Sequence, residues 1–217
     1  MKKTFKYRRN FLQTSLKSNI LLEYPRFQDT YGLIHQDFKT LYPDDNENLV
    51  GLFQPDFQEK LQTLGNLNTI TGQNKDWCSE IIATLCWITL LRPTGNGRGT
   101  KRPPLKRAFM DFIVFQSENE ELTPKSSPTI IAQGGTRSDV RRFFVSVDGT
   151  LIVTNNTFID AFDIFFKLHF VFEIKYEDTL RNFLTYLEYY VFKITDRSIP
   201  NTTVNKCRML LLNAQNE

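Results

Sequence analysis

The sequence predicts an α+β fold: a helix-rich first half, then a small antiparallel sheet packed against two aromatic-rich helices. Three observations predict it. Asp148-Gly149 stands between FFVSV and TLIV, a strong hairpin signal because a two-residue type I′ turn needs positive φ at both central positions. TFIDAFDIFFKLHFVFEI and KYEDTLRNFLTYLEYYVFKI follow it with helical apolar spacing. Ahead of the hairpin, the first ninety or so residues read as helices punctuated by Gly and Pro. At 217 residues, 41% hydrophobic, the chain is long enough to bury a sizeable core, and a single domain over 1–217 is expected, with 1–70 as a candidate helical subdomain. Nineteen Phe against 2 His and 3 Met make that core one of large rings.

In chain order, residues 3–22 predict a helix with Phe5, Leu12, Leu16 and Ile20 at roughly helical spacing, and with Lys2, Lys6, Arg9, Gln13 and Lys17 on one basic stripe. Residues 25–66 then read as three short helices separated by Gly32, Pro43 and Pro55. His35 lies among them as a surface or capping residue, since no second ligand-type residue stands at metal-binding spacing. Asp76 is the expected N-cap of WCSEIIATLCWITLLR, apolar on nearly every side and therefore a buried central helix.

Residues 92–107, RPTGNGRGTKRPPLKR, hold six bases and no acid and predict a mobile surface loop. Gly95, Gly97 and Gly99 do not make the phosphate-cradling GxxxxGK[ST] spacing, but Arg and Lys on such a loop can meet phosphates without reading sequence. LKRAFMDFIVFQSE reads as a short amphipathic helix, ENEELTPKSSP as a polar loop, and PTIIAQGG as a third strand.

In the hairpin register Val147 faces Thr150 and Val145 faces Ile152, with Phe143 on the same side. Thr157 and Asp160 form a capping pair that opens the first aromatic-rich helix. Asp160, Asp163 and Lys167 project as one solvent stripe, with His169 opposite among Phe158, Phe162 and Phe165 as a core histidine. Leu180, Phe183, Leu184, Leu187, Val191 and Ile194 make the inward seam of the second helix. Phe192 instead projects with Arg181, Thr185 and Glu188, and Tyr189 flanks it. Aromatics on a polar face are a hint of a binding patch, which makes Tyr189, Phe192 and Arg181 the candidate partner-binding residues.

Charge distribution carries the alternative. Residues 2–9, 92–107 and 137–142 hold 14 of the 27 bases and one acid, so the rest of the chain is acidic around basic segments. As a nucleic-acid surface these segments would use Lys2, Lys6, Arg9, Arg92, Arg98, Lys101, Arg102, Lys106, Arg107, Arg137, Arg141 and Arg142.

Several classes are disfavoured. Cys78, Cys86 and Cys207 suit neither a disulfide framework nor a zinc site and are expected to be reduced thiols in an intracellular protein, nuclear or cytoplasmic. MKKTFKYRRN lacks a secretory apolar segment, and IIATLCWITLL is too short to span a bilayer. No nucleophile, base and charge-stabilising group fall into a catalytic pattern, so no catalytic, cofactor or metal residue is assigned and no small-molecule substrate is expected.

PRFQDTYGLIHQDF (25–38), IIAQGG, RFFVSVDGTLI (142–152) and DAFDIFFKLHFVFEIKYEDTLRNFLTYLEYYVFKI (160–194) together resemble the C-terminal region of multi-copy animal proteins, similar to the part following the sterile alpha motif in sterile-alpha-motif-containing proteins. The resemblance covers nearly the whole chain, which departs from the pattern in having no sterile alpha motif or zinc finger. It implies an intracellular accessory domain, the C-terminal part of something longer, with a history among mobile elements, and it supplies no catalytic or ligand residues. The expected function is therefore non-enzymatic protein interaction or assembly, through a protein partner or self-association, with nucleic-acid binding as the alternative.

Overall fold

The computed structural model describes residues 4–14, 20–43, 49–93 and 102–214. The helices of the first half are α1 (Phe5–Thr14), α2 (Ile20–Glu23), α3 (Arg26–Asp29), α4 (Leu33–Leu41), α5 (Leu49–Leu52), α6 (Pro55–Leu64) and α7 (Ser79–Leu90). Gly32 takes φ 82° at the start of α4, a left-handed value that glycine adopts without strain, so the chain reverses there. The expected central helix is α7, with Ile81 and Ala83 to Ile88 buried, but Asp76 ends a short 3-10 turn and Cys78 holds the N-cap position instead.

Helix α8 (Leu105–Phe112) runs without a turn into strand β1 (Ile113–Ser117), so the expected amphipathic helix over 105–118 is half helix and half strand. β2 (Thr129–Thr136), β3 (Asp139–Val147) and β4 (Thr150–Val153) complete a sheet of order β1-β2-β3-β4. β2, β3 and β4 are antiparallel as expected, and β1 joins them parallel to β2, which makes the sheet mixed. The hairpin closes in the expected register, Val147 against Thr150 and Val145 against Ile152. Asp148 and Gly149 both take positive φ, 54° and 70°, as a type I′ turn requires.

Helix α9 (Phe158–Val171) lies at the centre of the molecule. Thr157 Oγ1 accepts the Asp160 N–H at 3.2 Å and caps it. Every residue of α9 except Asp160 is buried, because the sheet and α7 cover its Phe158–Phe162–Phe165 side and α4 covers the side expected to face solvent. The apolar side stacks on rings from other elements: Phe112 lies 5.3 Å from Phe162 and 5.4 Å from Phe165, and Phe38 lies 5.5 Å from Phe170.

Helix α10 (Arg181–Tyr186) continues through a π-helical turn over Leu187–Val191, and α11 (Thr202–Asn213) packs Val204, Cys207 and Leu211 inward. Asn201 caps α11 by accepting from Thr203 N and Val204 N. Apart from Ile131, the buried apolar side chains from Leu21 to Leu211 form one connected cluster. Among the described residues no helix is long and apolar enough to cross a membrane.

Candidate functional site

Sequence reasoning pointed to an aromatic edge at Tyr189, Phe192 and Arg181, and the structure corrects it. Phe192 is 2% exposed and stacks on Phe166 with ring centroids 4.3 Å apart. The π turn is one cause: Phe192 N–H donates to Leu187 O, five residues back, so the chain has rotated off the projected stripe. The stripe itself is the other, since Thr185 and Glu188 are buried as well. Glu188 accepts from Tyr176 Oη at 2.6 Å and from Ser198 Oγ at 2.8 Å, a polar network inside the fold. Tyr189 is half-buried against Tyr190, and exposed Arg181 is paired with Asp178.

The bases of the alternative differ in what they contact. Lys2, Arg98 and Lys101 lie outside the described residues. Arg9 serves the fold, donating to Phe170 O at 3.1 Å and pairing with Glu173 at 2.6 Å at the C-terminal end of α9. Its neighbour Arg8 is buried in a two-pronged ion pair with Asp37 that ties α1 to α4. Arg107 pairs with Asp111, and Arg141 with Glu118 and Asp139. Arg142 lies over the Phe144 ring at 5.9 Å, while Lys6 and Arg102 are exposed.

Arg92, Lys106 and Arg137 converge. Together they line a groove of about 770 Å³ whose other walls are Leu105, Phe109 and Met110 of α8, the edge of β1 and the turn at 69–74. Among the described residues no acid lines it. Ile113, Val114 and Phe115 all face the groove although successive strand side chains point to opposite faces, so the groove runs along the edge of the sheet and not over one face. Arg137 is the best-positioned base. Its guanidinium lies 4.8 Å over the Trp77 ring and 5.9 Å over Phe115, and it donates to Asn74 Oδ1 at 3.2 Å and Gln73 Oε1 at 3.3 Å. Burial presses its pKa down from the ordinary value, with Asp76 opposing. The aromatic wall beneath these bases has no signature in the sequence, because β1 lies at the end of a helix pattern and Trp77 opens an apolar run that reads as buried helix.

A second polar cluster was also missed. His35, expected at the surface, sits between α4 and α9, its Nδ1 3.2 Å from Asp163 Oδ2 and its Nε2 3.5 Å from Asp160 Oδ1. Lys167 Nζ reaches the same Asp163 oxygen at 2.6 Å, and Tyr31 Oη donates to Asp160 at 2.9 Å. Asp163 and Lys167 are buried, which corrects their expected place on a solvent stripe. Burial pulls the His35 pKa down, but hydrogen bonds to Asp160 and Asp163 outweigh it and raise the value to about 8. Asp160 is held below its ordinary value; burial opposes this, and hydrogen bonds from His35, Asn155 N–H and Tyr31 prevail. His169 is the core histidine expected: its Nδ1 lies 2.9 Å from Phe165 O and burial lowers its pKa to about 4.

The described residues contain no group of three or more His, Cys, Asp or Glu able to hold a metal ion. Cys86 and Cys207 are free and buried, and burial raises their thiols to about 11 and about 12, where little nucleophilic thiolate forms. Comparison of the chain with family models, with curated proteins and with solved structures found no match.

Proposed function

We propose that this chain is a non-enzymatic interaction domain that captures an acidic segment of a partner protein in the groove between α8, β1 and the 69–74 turn. One observation carries the reading: Arg92, Lys106 and Arg137, separated by many residues in sequence, meet on one concave surface with apolar walls and, among the described residues, no acid. Apolar side chains with a rim of one charge sign suit a peptide that carries both aliphatic and acidic residues. The setting is intracellular, nuclear or cytoplasmic, where three unpaired thiols are stable.

The test is titration of a fluorescein-labelled peptide of alternating Glu and Val into the full chain, followed by anisotropy. Binding is expected, falling about tenfold or more in Arg92→Glu/Lys106→Glu and weakening with added salt. Absence of binding at low ionic strength overturns the reading. Preference for single- or double-stranded oligonucleotides over the acidic peptide, with loss in the same double variant, would replace it by the nucleic-acid alternative.

A further inference from the structure

Resting on the acidic-partner reading, we infer that the partner binds by adding to the sheet as a fifth strand beside β1. β1 is the outer strand of the order β1-β2-β3-β4. Which of its main-chain groups face outward follows from one hydrogen bond: Glu118 N–H donates to Gly134 O on β2. Because the direction of the main-chain groups alternates along a strand, Val114 and Gln116 also face β2, in keeping with the register Val114 to Ile131 and Gln116 to Gln133. Ile113, Phe115 and Ser117 therefore face away from it.

Two of the outward groups are occupied within the chain. Ile113 N–H donates to Phe109 O at the end of α8, and Ser117 O accepts from Glu120 N–H. Among the described residues no hydrogen bond reaches the Phe115 N–H, the Phe115 C=O, the Ser117 N–H or the Ile113 C=O. That row is the hydrogen-bonding template an extended segment needs, and it opens on the groove that Ile113 to Phe115 line.

The charges choose the occupant. A second copy of this chain pairing β1 with β1 would bring two sets of Arg92, Lys106 and Arg137 together, and that repulsion disfavours self-pairing. An extended acidic segment is attracted by the same bases. Its alternate side chains divide between the two faces, and those on the Phe115 face meet Phe115 and the Arg137 guanidinium, which stacks on the buried Trp77 ring. An acid at these positions pairs with a base already held by two rings and two side-chain amides, so little side-chain freedom is lost on binding.

The experiment uses the full chain and the alternating Glu and Val peptide in three forms: unmodified, N-methylated at every second amide, and N-methylated at the other set. Strand addition places only one set of amides against β1. Methylation of that set is expected to weaken binding by about tenfold or more, and of the other set to leave it near the unmodified value, since only the first set loses main-chain hydrogen bonds to β1. Amide hydrogen exchange at Phe115 should slow when the unmodified peptide is bound. If the unmodified peptide binds but both methylated forms bind equally well and Phe115 exchange is unchanged, strand addition is overturned while the acidic groove stands. If the unmodified peptide does not bind, the groove reading fails, and strand addition with it.

Discussion

His35 is the residue whose chemistry departs most from its sequence context. When neutral, its Nδ1 can accept from Lys167 Nζ, 3.4 Å away; when protonated, the same atom donates to Asp163 Oδ2 at 3.2 Å. The two carboxylates prevail, and the folded pKa of about 8 lies above the ordinary 6.5. A group raised in the folded state stabilises fully below its unfolded pKa and loses that contribution as pH climbs through the folded one. With the side chain 27% exposed, the 6.5-to-8 difference corresponds to about 2 kcal/mol. His169 acts in the opposite sense. Its folded pKa of about 4 lies below 6.5, so its contribution is present above pH 6.5 and is lost as pH falls toward 4. The urea midpoint should therefore peak near pH 6.5 and decline toward pH 8.5. In His35→Gln the alkaline decline should disappear while the acid side keeps its slope; an unchanged decline in that variant would show that another group titrates there.

At the scale of the element, the π turn in the helix that begins at Arg181 decides which aromatics are structural. Phe192 fills the space beside Phe166 and Phe38, so Phe192→Ala should cost about 3–5 kcal/mol, the range for a buried ring removed without collapse. Tyr189→Ser, at a half-buried position, should cost no more than about 1 kcal/mol. Urea midpoints at constant m-value measure both, and near-equal costs would contradict the packing. The same helix shows what could be read from sequence. Its inward seam was legible because Leu180, Phe183, Leu184 and Leu187 keep α-helical spacing as far as the irregularity. The Asp148-Gly149 turn and the Thr157 cap were legible because each rests on a local requirement of the backbone. β1 was not, since Phe112 passes into Ile113 with no Gly or Pro between helix and strand, and a short apolar run fits either. Nor was the burial of Asp163 and Lys167: their spacing says that they pair, whereas their cover comes from α4, more than a hundred residues away in sequence. The groove was half legible, its bases visible as basic segments and their convergence dependent on a sheet edge the sequence concealed.

Over the whole molecule, the arrangement of rings argues for a single cooperative transition. Residues 1–70 look separable in sequence, but their rings are spent on the second half of the chain. Phe27 lies 5.0 Å from Phe172, Phe38 5.9 Å from Phe192, and Phe53 6.2 Å from Phe162. Trp87 joins both parts, 5.3 Å from Phe57 on one side and 5.3 Å from Tyr186 on the other, and is fully buried. The His35 cluster adds a polar tie between α4 and α9. Melting the first helices alone would uncover Phe162, Phe166 and Phe170 where Phe53 and Phe38 now pack on them, and burying a ring contributes about 1.5–3 kcal/mol, so a partly unfolded form with that face open is strongly disfavoured. Far-UV circular dichroism, which follows all the helices, and tryptophan fluorescence, which follows buried Trp77 beneath Arg137 and Trp87 at the centre, should then report the same urea midpoint. A dichroism transition that precedes the fluorescence change would mean that the first helices form a subdomain of their own, with the ring contacts across α9 too weak to couple them.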